Sequence, residues 1–148
     1  MYNDWLKHSL AVARKMVEIA KEKGMTDSEI KTCFIIGYTH DIGYEFSENG
    51  VAHNKIGGEI LKERGFEYWQ EVYHHGMLET DYSSIYLDIL NQADMQIDKY
   101  GNDVGYEERL EDIKSRYGQD STIYINCKKL VNKIRWNNQN WQRYSIMI

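Results

Sequence analysis

Apolar residues recur every three or four positions along most of this chain, which is the spacing of one face of an α-helix. In the first such segment, residues 3–23, one stripe carries Trp5, Val12, Met16 and Ile19, and the glycine-containing stop KEKGM follows. The chain has no proline, and glycines separate the periodic segments. This pattern predicts long helices that end at glycines.

Six further segments continue this pattern, and together they predict an all-α fold. The sequence TDSE at 26–29 has the spacing of a capping box and opens a second helix that runs towards His40. The remaining helices are expected at NKIGGEILKERG after His53, at 66–75, at 83–99, at the stripe Tyr106, Leu110, Ile113 and Tyr117, and from Ile123 through Cys127, Leu130, Ile134 and Trp141. The stretch STIYI at 121–125 is β-like but too short and isolated to form a sheet. We therefore expect one domain over 1–148, a single helical bundle of about six or seven helices.

Length and charge narrow the class of protein. With 148 residues the chain is long enough to bury a self-standing core. Its first segment carries charges at every turn, unlike a signal peptide, and no window approaches the roughly 20 apolar residues of a membrane span. We expect a cytoplasmic protein with no membrane partner. The formal net charge of -5 argues against binding to nucleic-acid polymers, whose phosphates require clustered Lys and Arg.

The two cysteines are expected to be structural. Cys33 and Cys127 each lie among apolar neighbours at helical spacing, and neither is part of a CxxC motif. We interpret both as buried thiols rather than as a disulfide, metal ligands or nucleophiles.

All five histidines of the chain fall in one pattern with two aspartates: His8, His40-Asp41, His53, His74-His75 and Asp94. His8 lies on the apolar stripe of the first helix, three residues after Trp5. Asp94 lies on the stripe of Leu87, Leu90 and Ile97, where a carboxylate without a partner is costly to bury. A lone inward histidine is usually a satisfied core residue. Five of them with two carboxylates indicate a metal site, because imidazole and carboxylate are ligands that transition metals prefer.

The other candidate ligands fall at predicted helix ends. His40 and Asp41 follow the second helix, where the turn of the backbone lets adjacent side chains converge. His53 starts the third helix and His74 ends the fourth. Helix ends allow a bundle to collect ligands from several helices at one interior point.

The order H, HD, H, H, D resembles the HD superfamily of metal-dependent phosphohydrolases. The resemblance covers residues 8–94, and the segments IIGYTHDIGY, AHNKIGGEIL, VYHHG and NQADMQID are similar to the family's surroundings at each step. It implies an HD-type helical bundle with a metal-site core over 8–98, followed by C-terminal helices over 104–148. In size and in its extra histidines the chain is similar to small bacterial enzymes that split diadenosine tetraphosphate. The cyclic-dinucleotide phosphodiesterase branch shares those histidines.

The resemblance also implies a set of metal ligands. A first divalent metal would be bound by four residues: His8, His40, Asp41 and Asp94. His53 and His74 would bind a second, with Asp41 bridging the two. The role of His75 stays open, and the Tyr73-His74 context favours His74. The implied cofactor is a pair of divalent transition-metal ions, with iron as the first choice and manganese, nickel, cobalt and zinc as alternatives.

Tyr44 departs from the family pattern. It stands three residues after Asp41, where the dinucleotide-type branches carry Lys and the one-metal deoxynucleotidases carry Glu. A phenol donates a hydrogen bond but supplies no positive charge, and it is a poor base near its usual pKa of about 10. The candidates for contact with the substrate or its attacking water are Asp41, Tyr44 and Lys55.

A phosphoryl group needs positive donors, and the sequence offers several. Lys55, two residues after His53, is the best-placed candidate, with Lys99 and Arg135 behind it; for each, a solvated surface charge is the alternative. Asp98 follows Asp94 by four residues on the same predicted helix face, so it is a candidate to support a ligand.

The resemblance implies hydrolysis of a phosphate ester or anhydride, in a nucleotide or another small phosphorylated compound, through a metal-activated hydroxide. Two alternatives stay open. Inositol oxygenase and the phosphonate-cleaving di-iron enzymes share the same H, HD, H, H, D order, so iron in this chain could activate dioxygen instead. The pocket could also bind metal or ligand without turnover. A homodimer is compatible with the sequence.

Overall fold

The part of the chain that the structure describes is mostly helical and contains seven α-helices. The computed structural model describes residues 4–147, with side chains over 5–139. The helices are α1 Asp4–Glu22, α2 Asp27–Thr39, α3 His53–Glu63, α4 Trp69–His74, α5 Ile85–Asp94, α6 Gly105–Tyr117 and α7 Thr122–Met147, with a 3-10 helix at Ile42–Glu45. Over the described residues there is no strand, and the predicted all-α fold is confirmed. No helix in this range is long and apolar enough to cross a membrane. The side chain of Trp141, the last apolar position predicted for α7, lies outside the described residues.

Local hydrogen bonds explain where two of the helices begin. The capping box predicted for α2 is present: the Glu29 amide donates to Thr26 Oγ1 at 3.2 Å, and the Thr26 amide donates to Glu29 Oε1 at 2.8 Å. At α7, Ser121 Oγ accepts from the Tyr124 amide at 3.1 Å. The β-like stretch 121–125 therefore opens a helix, because Ser121 caps it.

Helix α5 ends earlier than the apolar stripe predicts. The expected helix covers 83–99, but the observed one ends at Asp94. Ile97 is buried, yet it lies in a turn closed by an antiparallel bridge to Asp103. The Asp98 carboxylate accepts from the amides of Tyr100 and Asn102, both at 2.9 Å, and these bonds hold the turn. The periodicity continued past the helix end because the turn buries Ile97 in the same core.

Two hydrophobic clusters hold the bundle together. In the larger one, α1, α2 and α5 pack on one another, with Val12, Met16, Ile36 and Leu90 among the fully buried residues. The smaller one joins α6 and α7 through Leu110, Ile113, Leu130, Val131 and Ile134, and Met95, just after α5, connects it to the rest. The C-terminal helices therefore pack against the end of α5 at which Asp94 lies.

Helix α3 is held close to its neighbours at two glycines. A Cβ at Gly58 would lie 2.7 Å from Tyr73 Cα, so α3 and α4 are nearly in backbone contact. A Cβ at Gly43 in the 3-10 helix would lie 1.8 Å from the carbonyl oxygen of His53. These approaches bring the residues after α2, the start of α3 and the end of α4 to one place.

Candidate metal centre

Helix α1 brings His8 to the end of α5. His8 is 5 % exposed, and its Nε2 lies 2.7 Å from Asp94 Oδ1. Its Nδ1 lies 2.9 Å from the carbonyl oxygen of Asp98, in the turn after α5. The support predicted from Asp98 therefore comes from its main chain rather than from its carboxylate, which is occupied in holding the turn.

The end of α2 places His40 and Asp41 side by side. His40 is fully buried and is the C-cap residue of α2, with Nδ1 at 2.7 Å from the carbonyl oxygen of Gly37. Its Nε2 has no hydrogen-bond partner among the described residues, although Asp41 Oδ2 lies at 3.3 Å and Asp94 Oδ1 at 3.5 Å. A buried nitrogen aimed at two carboxylates without a hydrogen bond is the feature that a bound cation would satisfy.

His53 enters the same site from the start of α3. Its Nε2 lies 3.3 Å from Asp41 Oδ1, and its Nδ1 lies 3.1 Å from the carbonyl oxygen of Gly50. The residue before it, Ala52, has a φ of +55°, a left-handed conformation that alanine rarely adopts. This strained residue sets the direction in which α3 begins and so the position of the His53 ring.

The structure brings His75 to the site and leaves His74 outside it, contrary to the predicted preference. His75 is 3 % exposed, with Nε2 at 3.3 Å from Asp41 Oδ1 and Nδ1 at 2.5 Å from the carbonyl oxygen of Val72. His74 instead pairs its Nδ1 with Thr80 Oγ1 at 2.7 Å and stacks on Tyr82. The two side chains diverge because α4 ends at His74 and the backbone of His75 is already extended.

The result is a six-residue cluster composed of His8, His40, Asp41, His53, His75 and Asp94. In each of its four histidines, Nδ1 faces a backbone carbonyl oxygen. A carbonyl oxygen only accepts, so Nδ1 carries the hydrogen and the lone pair of each neutral ring is on Nε2. All four Nε2 atoms point at carboxylate oxygens, which also only accept. The cluster is thus a set of converging electron-pair donors, which fits a divalent transition metal.

Asp41 divides this cluster into two groups of ligands. Its Oδ2 faces His8 at 3.6 Å and His40 at 3.3 Å, on the side where Asp94 also lies. Its Oδ1 faces His53 and His75, each at 3.3 Å. A carboxylate with one oxygen on each side can bridge two metal ions. The first group offers four side chains and the second offers three.

Charge and burial set the protonation of the cluster. Burial opposes the charged form of His40, but the adjacent Asp41 and Asp94 carboxylates hold its pKa well above the usual value. Despite burial, the neighbouring histidines hold the pKa of Asp41 and of Asp94 well below the usual value. The pKa of His53 is also raised, against burial, by its contact with Asp41. Because Nδ1 is already protonated, an added proton goes to Nε2, the atom that would bind a metal.

Comparison with known families agrees with this site. A family model described as HD domain matches residues 5–133, which includes every member of the six-residue cluster. The chain belongs to the HD domain family. HD domains are commonly metal-dependent hydrolases, and His40-Asp41 is the HD dipeptide of this one. Searches of curated proteins and of solved structures found no match to the chain.

A cavity of about 620 Å³ opens onto the six-residue cluster of this HD domain. Tyr44 lines it and stacks on His53, with ring centroids 4.2 Å apart and an angle of 19° between the planes. Burial, followed by the negative charges of Asp41 and Asp94, raises the pKa of Tyr44. The phenol therefore stays protonated and offers a hydrogen bond to a ligand in the cavity, rather than acting as a base.

The positive charges on the cavity wall differ from those predicted. Lys55 is exposed and is not among the lining residues, and Arg135 pairs with Glu107 at 2.6 Å away from the lining. Of the predicted cations, Lys99 alone lines the cavity, from an exposed position. The sequence reasoning missed Arg109 and Arg116, which also line it.

A signal for these arginines was present in the sequence. The lining residues of α6 are Arg109, Ile113, Arg116 and Tyr117, which are spaced as one helix face. The apolar members of α6 predict the helix, but they do not indicate which side of that stripe faces the cluster. The two predicted buried thiols also differ: Cys33 is buried, whereas Cys127 is half-buried and lines the cavity.

Proposed function

We propose that the protein is a metal-dependent phosphohydrolase that acts on a nucleotide or another small phosphate ester or anhydride. The observation that carries the proposal is the orientation of the four histidines in the six-residue cluster. Each Nδ1 is engaged by a carbonyl oxygen, and each Nε2 faces a carboxylate. A hydrophobic core would not need four ring nitrogens directed at two ionised carboxylates. Membership of the HD domain family supports the same function.

Two divalent ions fit this arrangement. One would be held by four residues: His8, His40, Asp41 and Asp94. The other would be held by Asp41, His53 and His75, with iron as the first candidate metal. Ions bound there would polarise a phosphoryl group and lower the pKa of a water molecule, which is the chemistry that phosphate hydrolysis requires.

The residues around the cluster would position the substrate. The Tyr44 phenol, fixed by its stack on His53, would donate a hydrogen bond to a phosphoryl oxygen. The cavity volume of about 620 Å³ lies within the range of small-molecule sites, and one part of its wall is apolar, with Met77, Met95 and Leu130. This wall suits a nucleoside or a similar uncharged portion. Dinucleotide polyphosphates are a narrower candidate class within the proposal.

The test is hydrolysis of a phosphate ester or anhydride, read from the products by chromatography, with protein loaded with each of iron, manganese, nickel, cobalt and zinc under anaerobic conditions. The substrate panel contains nucleoside mono- and triphosphates, diadenosine tetraphosphate, cyclic dinucleotides and a simple aryl phosphate. We expect turnover of at least one compound by the wild type and none by Asp41→Asn, which keeps the shape of the side chain but loses its charge. Hydrolysis of the same compound by Asp41→Asn at the wild-type rate would exclude the six-residue cluster as the site.

The same preparation tests the alternative activity. Oxygen uptake that depends on an added compound, by the iron-loaded protein, together with no hydrolysis of the panel under anaerobic conditions, would contradict the proposal and favour an oxygenase. Metal binding with neither activity across the panel would favour a module that binds without turnover.

A further inference from the structure

We propose that Arg109 binds the phosphoryl group of the substrate, so that α6, outside the elements that carry the six-residue cluster, supplies the anion-binding part of the site. This inference rests on the proposed function and adds to it the residue that selects a phosphate. Nothing in the HD dipeptide or in the histidine pattern identifies this arginine.

The first observation is the unsatisfied hydrogen-bonding capacity of Arg109. Its Nη1 is buried and has no hydrogen-bond partner among the described residues, although the side chain is 13 % exposed and lines the cavity. A buried guanidinium nitrogen without an acceptor is costly, because an arginine has five N–H donors and cannot lose its charge. The side chain lines the cavity, so an anion held there would supply an acceptor to the guanidinium that the described residues do not.

The second observation is the anchor of Arg109 beside the six-residue cluster. Its Nε donates to the carbonyl oxygen of Asp94 at 3.3 Å. This hydrogen bond holds the guanidinium beside Asp94, whose carboxylate faces His8 and His40. A phosphoryl group that reaches the cluster would lie against the cavity wall that Arg109 forms. Planar guanidinium matches two oxygens of a phosphate at once, which a lysine does not.

The third observation is an excess of positive charge on this face of α6. Asp112 lies between Arg109 and Arg116: its Oδ2 accepts from Arg116 Nη2 at 2.9 Å and lies 3.7 Å from Arg109 Nη1. One carboxylate therefore serves two guanidinium groups, and it is closer to Arg116. The remaining positive charge is on the side of Arg109, next to a cluster whose carboxylates would be neutralised by bound metal.

An arginine on α7 provides a matched control. Arg135 lies on α7, pairs with Glu107 and packs over the ring of Tyr106, and it does not line the cavity. Arg135→Gln removes the same charge as Arg109→Gln without changing the proposed site.

The probe is inorganic phosphate, titrated into metal-loaded protein and followed by calorimetry. Charged hydrogen bonds contribute enough that Arg109→Gln should weaken phosphate binding by about 10- to 100-fold, whereas Arg135→Gln should leave it within about two-fold. Arg109→Lys keeps the charge and should fall between the two. Metal content of each variant, measured by elemental analysis, should equal that of the wild type. Equal phosphate affinity in Arg109→Gln and the wild type would overturn the inference.

A second measurement needs no variant and so does not depend on folding. An arginine-specific dicarbonyl reagent reports the reactivity of Arg109 in the metal-loaded wild type, read by peptide mass spectrometry, and phosphate should change that reactivity. Modification of Arg135 should be the same with and without phosphate. Modification of Arg109 that phosphate leaves unchanged would also overturn the inference.

Failure of the inference and failure of the proposed function give different results. If the wild type hydrolyses a substrate and Arg109→Gln keeps the wild-type kcat/KM, the function stands and the role of Arg109 is wrong. If no compound is hydrolysed but phosphate binding depends on Arg109, the anion site stands and the proposed hydrolase function is wrong.

Discussion

The adjacent histidines His74 and His75 allow a decisive test of the site, because the structure gives them different surroundings. His75 Nε2 lies 3.3 Å from Asp41 Oδ1, in the second group of proposed ligands. His74 is paired with Thr80 and stacked on Tyr82 instead. Substituting each with alanine removes an imidazole at neighbouring positions of the same chain, so the two variants control for one another.

The expected magnitudes differ widely. His75→Ala leaves Asp41 and His53 as the ligands of the second metal. Loss of a group that merely supports a ligand already costs about 10- to 100-fold in metal affinity. Loss of the ligand itself should therefore cost at least about 100-fold, or about 2.8 kcal/mol at about 1.4 kcal/mol per ten-fold. His74→Ala loses one hydrogen bond and one ring stack, about 1–3 kcal/mol of folding stability, with no change in metal affinity.

The assay is metal content after desalting, combined with metal titration and far-ultraviolet circular dichroism. We expect His75→Ala to bind about one metal per chain where the wild type and His74→Ala bind about two, as a two-metal site requires. Unchanged dichroism would exclude unfolding as the cause. If His74→Ala loses a metal while His75→Ala keeps two, the assignment of His75 to the site is refuted. A wild type that saturates at one metal would refute the second group of ligands altogether.

Three further predictions follow from the same cluster. Removing metal with a chelator should lower Tm by about 5–10 °C. A ligand at 100 times its Kd stabilises the folded state by about 2.7 kcal/mol, and the Tm of a domain of this size shifts by about 2–4 °C per kcal/mol. An unchanged Tm would argue against a metal that binds the folded state. The metal-free protein should lose stability as the pH rises above 6.5. The pKa values of His40 and His53 are raised in the folded state, so their protonated forms stabilise the fold below that pH, and this contribution is lost as the pH rises through the raised pKa values. Thermal melts in chelator at several pH values measure this, and rising stability would contradict it. Gly43→Ala should lower stability by about 1–3 kcal/mol and weaken binding of the second metal, because the added Cβ would lie 1.8 Å from the His53 carbonyl oxygen. Gly24→Ala is the control: nothing lies within 4 Å of its added Cβ, so it should lose stability from its positive φ without a change in metal content.

Much of the fold is determined locally and could be predicted from the sequence. Apolar spacing identifies the helices, and the capping box at Thr26 gives the start of α2, because these signals act over one or two turns. The same spacing overestimated α5, since burial of Ile97 depends on a turn held by Asp98 rather than on continued helix. A periodic pattern reports which residues face the core, not whether the backbone between them is helical.

The types of ligand were also determined by the sequence, since an inward Asp94 and an inward His8 both needed a cation or a partner. The tertiary structure decided which of the candidate ligands lie together. His74 and His75 are adjacent, and the docking of α4 selects between them: Gly58 lets α3 approach Tyr73, and buried Glu71 accepts from Ser84 Oγ at 2.7 Å. These contacts join residues far apart in the chain, so no local pattern contains them.

The choice of cation on the cavity wall was decided by tertiary structure for the same reason. Lys55 is close to His53 in the sequence, but it projects from the exposed side of α3. Arg109 is 15 residues beyond Asp94, yet its Nε contacts the carbonyl oxygen of Asp94, because α6 packs beside the end of α5. The sequence by itself determined that this chain is a helical bundle with candidate metal ligands at inward-facing positions. Long-range packing decided which histidine completes the site and which arginine faces it, because those positions depend on how separate helices dock.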